Sequence, residues 1–222
     1  MNLTRSQLAA MIDHTLLKPE ATPEQIDRLC DEAISCGAAA ACVNPLYAAQ
    51  VARRVAGSAV RACSVVGFPL GATPGVNKAE EARRAIGEGA VEIDTVVPLG
   101  LVLAGDWDRV QSDLALTQEV CAAGRAGLKV IFESAALQDE QIIRLCRICR
   151  TLGTAFVKTS TGFHASGGAS EHAVRLMHEH FAGPVKASGG IRNLASAQAM
   201  LAAGATRLGL SATLAILNEL PG

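Results

Sequence analysis

Two lysines stand at the ends of short apolar runs, Lys158 after Ala155-Phe156-Val157 and Lys186 after Val185. Lysine is rarely buried without a reason, so an apolar strand that ends in lysine is informative. A lysine held in a partly dry site beside a second cation has a lowered pKa, and its free amine can attack a carbonyl. The pair therefore indicates Schiff-base chemistry. Two alternatives stay open: Lys158 as a solvated loop residue, and Lys186 as a contact for a phosphate group.

A carboxylate that could move protons for such an amine lies in another apolar run, residues 92–96. Side chains alternate along a strand, which places Glu92 and Asp94 on the same face. Asp94 lies nearer the end of the strand, so we expect it at the site, where it would transfer protons directly or through water. The predicted catalytic residues are therefore Lys158, Lys186 and Asp94.

A repeated order of elements is available to position these residues. Each short apolar run is followed by a loop with glycine, proline or polar residues and then by a helix-like stretch. The predicted strands are residues 11–14, 39–43, 62–66, 92–96, 128–132, 155–158, 185–187 and 207–210. Strands and helices that alternate eight times indicate a single (β/α)8 TIM barrel over residues 1–222. A Rossmann fold is disfavoured, because no G-x-G-x-x-G motif follows an early strand.

Helix boundaries are also visible in the sequence. Thr22 before Pro23 predicts a helix start, since threonine caps the free N–H groups and proline suits the first helical position. Gly37 predicts the end of that helix, because glycine adopts the left-handed conformation at little cost. Cys146 and Cys149 fall inside a predicted helix, so we interpret them as core thiols and not as a redox pair.

The barrel prediction places the chemistry. In such barrels the active residues lie at the C-terminal ends of the strands and in the loops that follow. Adjacent strands lie about 4.8 Å apart, so strands six and seven would bring Lys158 and Lys186 together. The glycine-containing segments 188–192 and 208–212 follow strands seven and eight, where backbone N–H groups often bind phosphate. We predict a phosphate site there, with Gly162 as a third edge and two tight turns as the alternative.

The bulk composition excludes several classes of function. A net charge of −1, from 20 basic and 21 acidic residues, gives no reason to expect a nucleic acid or a membrane surface as partner. No apolar stretch reaches the roughly 18 residues that a membrane span needs. Seven cysteines without a recognisable secretory signal are typical of a cytoplasmic protein with reduced thiols. The five histidines lack a metal-ligand pattern, so no metal is expected.

Five segments resemble the deoxyribose-phosphate aldolase family. They are residues 12–19 (IDHTLLKP), 65–71 (VVGFPLG), 129–131 (KVI), 156–163 (FVKTSTGF) and 185–192 (VKASGGIR). The resemblance runs from residue 12 to residue 216, and the two lysine segments are its most specific parts. It implies a class I aldolase, without metal or cofactor, that interconverts 2-deoxy-D-ribose 5-phosphate with D-glyceraldehyde 3-phosphate and acetaldehyde in deoxyribonucleotide catabolism.

The resemblance also implies roles for single residues. Lys158 matches the Schiff-base lysine, Lys186 matches a second lysine that lowers the pKa of the first, and Asp94 matches the acid/base aspartate. The positions near the phosphate are matched by Gly162, Gly189, Gly190, Gly209 and Ser211. Cys42 matches a cysteine near the pocket, and its role is open.

One departure from the family pattern bears on the phosphate site. The segment 209–212 contains one serine, Ser211, where relatives often have two, which concerns phosphate affinity and not the amine chemistry. Two alternatives to the implied function stay open: a Schiff-base aldolase for another phosphorylated sugar, and a barrel that binds a sugar phosphate without turnover. Because family members often pair, a homodimer is expected, with a small sugar phosphate and acetaldehyde as its ligands.

Overall fold

Eight parallel strands form a closed barrel in sequence order, and β8 pairs with β1 to complete it. The computed structural model describes residues 3–220. The strands are β1 (Ile12–Leu16), β2 (Ala40–Val43), β3 (Arg61–Val66), β4 (Glu92–Val96), β5 (Gly127–Ile131), β6 (Phe156–Lys158), β7 (Val185–Ser188) and β8 (Arg207–Leu210). The predicted (β/α)8 fold is confirmed, and each strand lies where the sequence predicted it, with ends shifted by at most two residues.

Helices cover the outside of the barrel and connect the strands. They are α1 (Arg5–Ala9), α2 (Pro23–Cys36), α3 (Ala48–Arg54), α4 (Gly75–Gly87), α5 (Leu99–Ala104), α6 (Trp107–Ala123), α7 (Asp139–Leu152), α8 (Glu171–Phe181), α9 (Leu194–Ala202) and α10 (Thr213–Asn218). The predicted boundaries of α2 are confirmed: the Thr22 side chain accepts from the backbone of Gln25, and Gly37 adopts the left-handed conformation with φ 73°. Within residues 3–220, no helix is both long enough and apolar enough to cross a membrane.

The two thiols of the C-x-x-C sequence lie in the interior of α7, as predicted. Cys146 and Cys149 are both fully buried. Burial raises the pKa of the Cys146 thiol to about 12, and the pKa of Cys149 is raised for the same reason. Thiols with raised pKa values are poor nucleophiles, which supports the interpretation of this pair as core packing.

The alternation of side chains along each strand divides the barrel into an apolar outside and a polar inside. Ile93 and Val130 point outward into the main hydrophobic core, where full burial of such a side chain contributes about 1.5–3 kcal/mol. Asp94 and Lys129 are partners in the register between β4 and β5, and their side chains meet inside the barrel. The fold therefore places charged groups where the surrounding wall excludes water.

Candidate active site

Seven charged side chains converge inside the barrel, and we call them the interior charge cluster. Its carboxylates are Asp13, Glu92 and Asp94, and its cations are Lys129, Lys158, Lys186 and Arg207. All of them are buried, with exposed fractions between 0% and 8%. When every member is ionised, three negative charges face four positive charges, so the cluster carries one excess positive charge. Removing so many charges from water is unfavourable in free energy, and the ion pair that each one forms with a partner of opposite sign compensates for it.

Asp94 on β4 stands at the centre of the cluster. Its Oδ2 accepts hydrogen bonds from Lys158 Nζ at 2.8 Å and from Lys186 Nζ at 2.7 Å. Its Oδ1 accepts from Lys129 Nζ at 2.8 Å. Lys158 and Lys186 are direct partners in the register between β6 and β7, which aligns their side chains on the carboxylate. The structure thus brings together the three residues that the sequence predicted as catalytic.

The three lysines differ in how many carboxylates surround them. Lys129 contacts Glu92 at 2.7 Å, Asp94 at 2.8 Å and Asp13 at 3.6 Å. Lys186 contacts Asp13 at 2.5 Å and Asp94 at 2.7 Å. Within residues 3–220, Lys158 has one ion pair, to Asp94 at 2.8 Å. Lys158 is therefore the cluster lysine whose positive charge is compensated least.

These contacts set the protonation of the cluster. Burial by itself lowers the pKa of Lys186, but Asp13 and Asp94 outweigh it and raise that pKa well above its usual value. The pKa of Lys129 is raised in the same way, chiefly by Asp94. Burial favours the protonated acid at Asp94, yet the three lysines hold its pKa well below the usual range. Lys129 and Lys186 are therefore ammonium ions, and Asp94 is a carboxylate.

Above the cluster lies a cleft of about 370 Å³ at the C-terminal ends of the strands. It is lined by Lys158 and by the residues that were predicted to bind phosphate, Gly162, Gly189, Gly190, Gly209 and Ser211. Two cations that were not predicted as site residues, Lys18 and Arg192, also line the cleft, and both are exposed. Lys158 therefore belongs both to the interior charge cluster and to the lining of the cleft. An anion bound in the cleft would face the exposed cations Lys18 and Arg192.

Two glycines leave space that a larger residue would fill. Gly189 has a φ of 89°, and a Cβ atom there would lie 3.0 Å from the Cα atom of Gly168. A Cβ atom at Gly209 would lie 2.9 Å from Ser188 Cβ and 3.1 Å from Lys186 Cε. Gly189 thus permits a tight loop at the mouth, while Gly209 makes room for the Lys186 side chain beneath it.

A strained residue supports the loop that follows Lys158. Glu133 has a φ of 59°, a left-handed conformation that is uncommon for a residue with a side chain. Its buried carboxylate accepts hydrogen bonds from the Thr161 hydroxyl at 2.6 Å and from the Thr161 backbone N–H at 3.2 Å. This contact connects the end of β5 to the loop between Lys158 and Gly162, so Glu133 helps to hold the loop that lines the cleft.

Several members of this site were not predicted from the sequence. Asp13 lies in the predicted strand 11–14, Glu133 directly follows the predicted strand 128–132, and Lys129 lies in one of the segments that resemble the aldolase family. Alternation in Leu128-Lys129-Val130 could have identified Lys129, because an apolar outer face leaves the lysine pointing inward. Arg207 opens its strand, and no local signal separates it from a surface residue.

Comparisons with known proteins agree with this arrangement. A family model described as DeoC/LacD family aldolase matches residues 7–219. The deoxyribose-phosphate aldolase of Mycolicibacterium paratuberculosis is 51% identical over 99% of this chain and 100% of its own length. The corresponding enzyme of Kocuria rhizophila is 49% identical over 98% of this chain and 99% of its own length.

Solved structures extend the likeness to the backbone. The structure of deoxyribose-phosphate aldolase from Aeropyrum pernix has a TM-score of 0.90 and 32% identity, covering 97% of this chain and 92% of that chain. The likeness therefore includes the whole barrel and not a local motif. With a family model that matches almost every residue and relatives about half identical, this chain belongs to the DeoC/LacD aldolase family.

Proposed function

We propose that this protein is a class I aldolase that cleaves 2-deoxy-D-ribose 5-phosphate reversibly to D-glyceraldehyde 3-phosphate and acetaldehyde through a Schiff base on Lys158. The observation that carries the proposal is the position of Lys158, which joins a buried charge cluster to a cleft and contacts a single carboxylate of the part of the chain that the structure describes. The two relatives described above bear the name of this activity over nearly the full length of the chain.

The charge balance of the cluster supports Lys158 as the nucleophile. A cluster with four cations and three carboxylates becomes neutral when one cation loses its proton, and a low dielectric favours neutrality. The carboxylates around Lys129 and Lys186 hold their protons in place. Lys158 has the weakest compensation and faces the cleft, so it is the cluster lysine best placed to act as the nucleophile. A neutral amine is the form that attacks a carbonyl.

The reaction then follows from the contacts of Lys158. Its amine adds to C1 of the open-chain aldehyde, and loss of water gives an iminium ion. The C3 hydroxyl loses its proton, the C2–C3 bond breaks, and its electron pair moves toward the iminium to give an enamine. Glyceraldehyde 3-phosphate leaves, and protonation at C2 followed by hydrolysis releases acetaldehyde. Asp94 stabilises the iminium charge and connects Lys158 to Lys186 for proton transfer.

A direct assay tests the proposal. We expect the protein to release acetaldehyde and glyceraldehyde 3-phosphate in equal amounts from 2-deoxy-D-ribose 5-phosphate, followed with an alcohol dehydrogenase for one product and a triose-phosphate enzyme for the other. Fructose phosphates and keto-deoxy sugar phosphates serve as comparison substrates. Faster cleavage of one of these would identify an aldolase for another sugar, and tight binding of deoxyribose phosphate without products would identify a non-catalytic barrel.

Arg192 gives a second prediction, which concerns the phosphate end of the cleft. We expect Arg192→Leu to raise KM for deoxyribose 5-phosphate about 10- to 100-fold with little change in kcat, because a charge-assisted contact to phosphate contributes about 1.5–3 kcal/mol. Steady-state kinetics with deoxyribose and with its 5-phosphate distinguish the effect. The variant should treat the free sugar as the unchanged protein does, and an equal loss on both sugars would contradict a phosphate contact.

Two further expectations belong to this proposal. We expect a cytoplasmic location, and the presence of seven free cysteines supports a reducing compartment. We also expect a homodimer, although the related structure from Aeropyrum pernix is described as tetrameric. The exposed side chains of Leu46, Leu70 and Val76, which are 80%, 76% and 62% accessible, support self-association.

A further inference from the structure

Two thiols that the reaction does not use lie inside the barrel next to the charge cluster. Cys42 on β2 and Cys63 on β3 are direct partners in the register of these strands, and both are buried. Their Sγ atoms lie within 4.8 Å of each other and of a carboxylate oxygen of Asp94. Adjacent strands place paired Cα atoms about 4.8 Å apart, which is within the range of about 4.4–6.8 Å that a disulfide requires.

One of these thiols is part of the hydrogen-bond network around Asp94. Cys63 Sγ donates to Asp94 Oδ1 at 3.3 Å and accepts from Lys129 Nζ at 3.2 Å. Cys63 therefore connects the thiol pair to the carboxylate that holds Lys158. A covalent change at Cys63 would alter the contacts of that carboxylate.

The two thiols are also unequal, as a reactive pair requires. The neighbouring Cys63 thiol lowers the pKa of Cys42 against the effect of burial, and Lys186 and Lys158 lower it further. Burial raises the pKa of Cys63 well above its usual value. Cys42 is thus the partner with more thiolate character, and the thiolate is the form that peroxides oxidise.

We propose that Cys42 and Cys63 form a reversible disulfide in the presence of a peroxide and that this disulfide inactivates the enzyme, an inference that rests on the proposed aldolase function. The Cys42 thiolate attacks one oxygen of hydrogen peroxide, the O–O bond breaks, and a sulfenic acid and hydroxide form. The hydroxide takes the proton of Cys63, and the resulting thiolate attacks the sulfenic sulfur. The S–S bond forms, the S–O bond breaks, and the hydroxide that leaves is protonated to water. Two thiols are oxidised in total, and one peroxide is reduced to two waters.

The disulfide removes two contacts from the charge cluster. Cys63 no longer carries the proton that it donates to Asp94, and its sulfur moves toward β2 and away from Lys129. Asp94 then loses a donor and shifts relative to Lys158. Because a displacement of about 1 Å in an active site can reduce the rate about 100-fold, we expect oxidised enzyme to lose about 10- to 100-fold in kcat.

The test treats the full chain with hydrogen peroxide and follows activity and mass together. We expect activity to fall in step with the loss of two hydrogens per chain, tandem mass spectra to place the bridge between Cys42 and Cys63, and dithiothreitol to restore both properties. Cys42→Ser and Cys63→Ser, each compared with its own untreated activity, should resist inactivation by peroxide. Cys146→Ser is the matched control, because it alters the other buried pair, and it should remain sensitive.

Each contrary result has a clear meaning. A bridged protein with full activity, inactivation of Cys42→Ser at the unchanged rate, or inactivation with no bridge between these cysteines would overturn the inference. Failure of the proposed function is a separate observation, since the untreated protein would then not cleave deoxyribose 5-phosphate while the mass measurement still reports on the thiols.

Discussion

Replacing Lys158 with methionine should reduce kcat/KM for deoxyribose 5-phosphate by about 10⁴-fold or more, the scale seen when an enzyme loses its nucleophile. Methionine has a similar length and fits the buried site, but it has no amine. The substitution leaves three carboxylates and three cations in the interior charge cluster, which removes its excess charge. We therefore expect the variant to fold with a free energy of unfolding at least equal to that of the unchanged protein.

Borohydride trapping tests directly whether Lys158 forms the Schiff base. Incubation with acetaldehyde and borohydride should add an ethyl group to Lys158, because reduction of the iminium fixes the two carbons to Nζ. The sequence has five lysines, Lys18, Lys78, Lys129, Lys158 and Lys186, and four of them are buried. Peptide mapping can therefore assign the label without ambiguity.

The exposed Lys18 serves as an internal control in the trapping experiment. Non-specific reductive alkylation would label Lys18 first, since solvent reaches it freely. Label on Lys186 in place of Lys158 would reassign the nucleophile. Full activity in Lys158→Met would end the Schiff-base proposal for this residue.

Replacing Asp94 with asparagine should damage both activity and stability. The change leaves two carboxylates against four cations and places an amide N–H₂ group among three lysines. Removal of one partner from a buried ion pair costs about 3–5 kcal/mol, and we expect a loss of that size in the free energy of unfolding. Loss of the proton-transfer carboxylate should lower kcat by about 10²- to 10⁴-fold.

Urea unfolding and steady-state kinetics test the prediction for Asp94→Asn, with Asp31→Asn as the matched control. Asp31 is exposed and pairs with Arg54 at 2.7 Å, so its substitution should change neither property appreciably. The double variant Asp94→Asn/Lys129→Met should recover part of the lost stability, because it removes one of the uncompensated cations. Wild-type stability in Asp94→Asn would show that the cluster does not depend on its central charge.

The stabilising effect of Asp94 should also depend on pH. The folded-state pKa of Asp94 lies well below the ordinary value of 3.8, so its stabilising contribution is complete above that pH and is lost as the pH falls below it. The stability difference between the unchanged protein and Asp94→Asn should therefore shrink on acidification below pH 3.8. A difference that stays constant down to the acid limit would exclude ionisation of Asp94 as its cause.

The fold could be derived from the sequence because its signals are local. An apolar run, a loop and a helix repeat eight times, and residues such as Thr22 and Gly37 mark where helix α2 begins and ends. Closure of eight strands in sequence order makes the neighbours of each strand predictable. This is why the meeting of Lys158 and Lys186 on adjacent strands could be predicted.

The composition of the charge cluster could not be derived in the same way. Asp13 and Arg207 are separated by 194 positions in the chain. Arg207 Nη1 nevertheless donates a hydrogen bond to Asp13 Oδ1 at 2.6 Å, because β8 pairs with β1. The sequence suggested that paired lysines lower each other's pKa. Lys186 departs from that expectation, because its pKa is raised. Two carboxylates from other strands, Asp13 and Asp94, lie next to it, and the sequence pattern did not predict both contacts.

The sequence by itself therefore determined the barrel, the order of its strands and the residue types at its mouth. Only the tertiary structure decided which lysine is left with a single carboxylate partner and how Cys42 and Cys63 relate to Asp94. The physical reason is that secondary structure depends on neighbours within a few residues, whereas a protonation state depends on every charge within several ångströms in a medium of low dielectric. Those charges come from strands that are distant in the chain and adjacent in space.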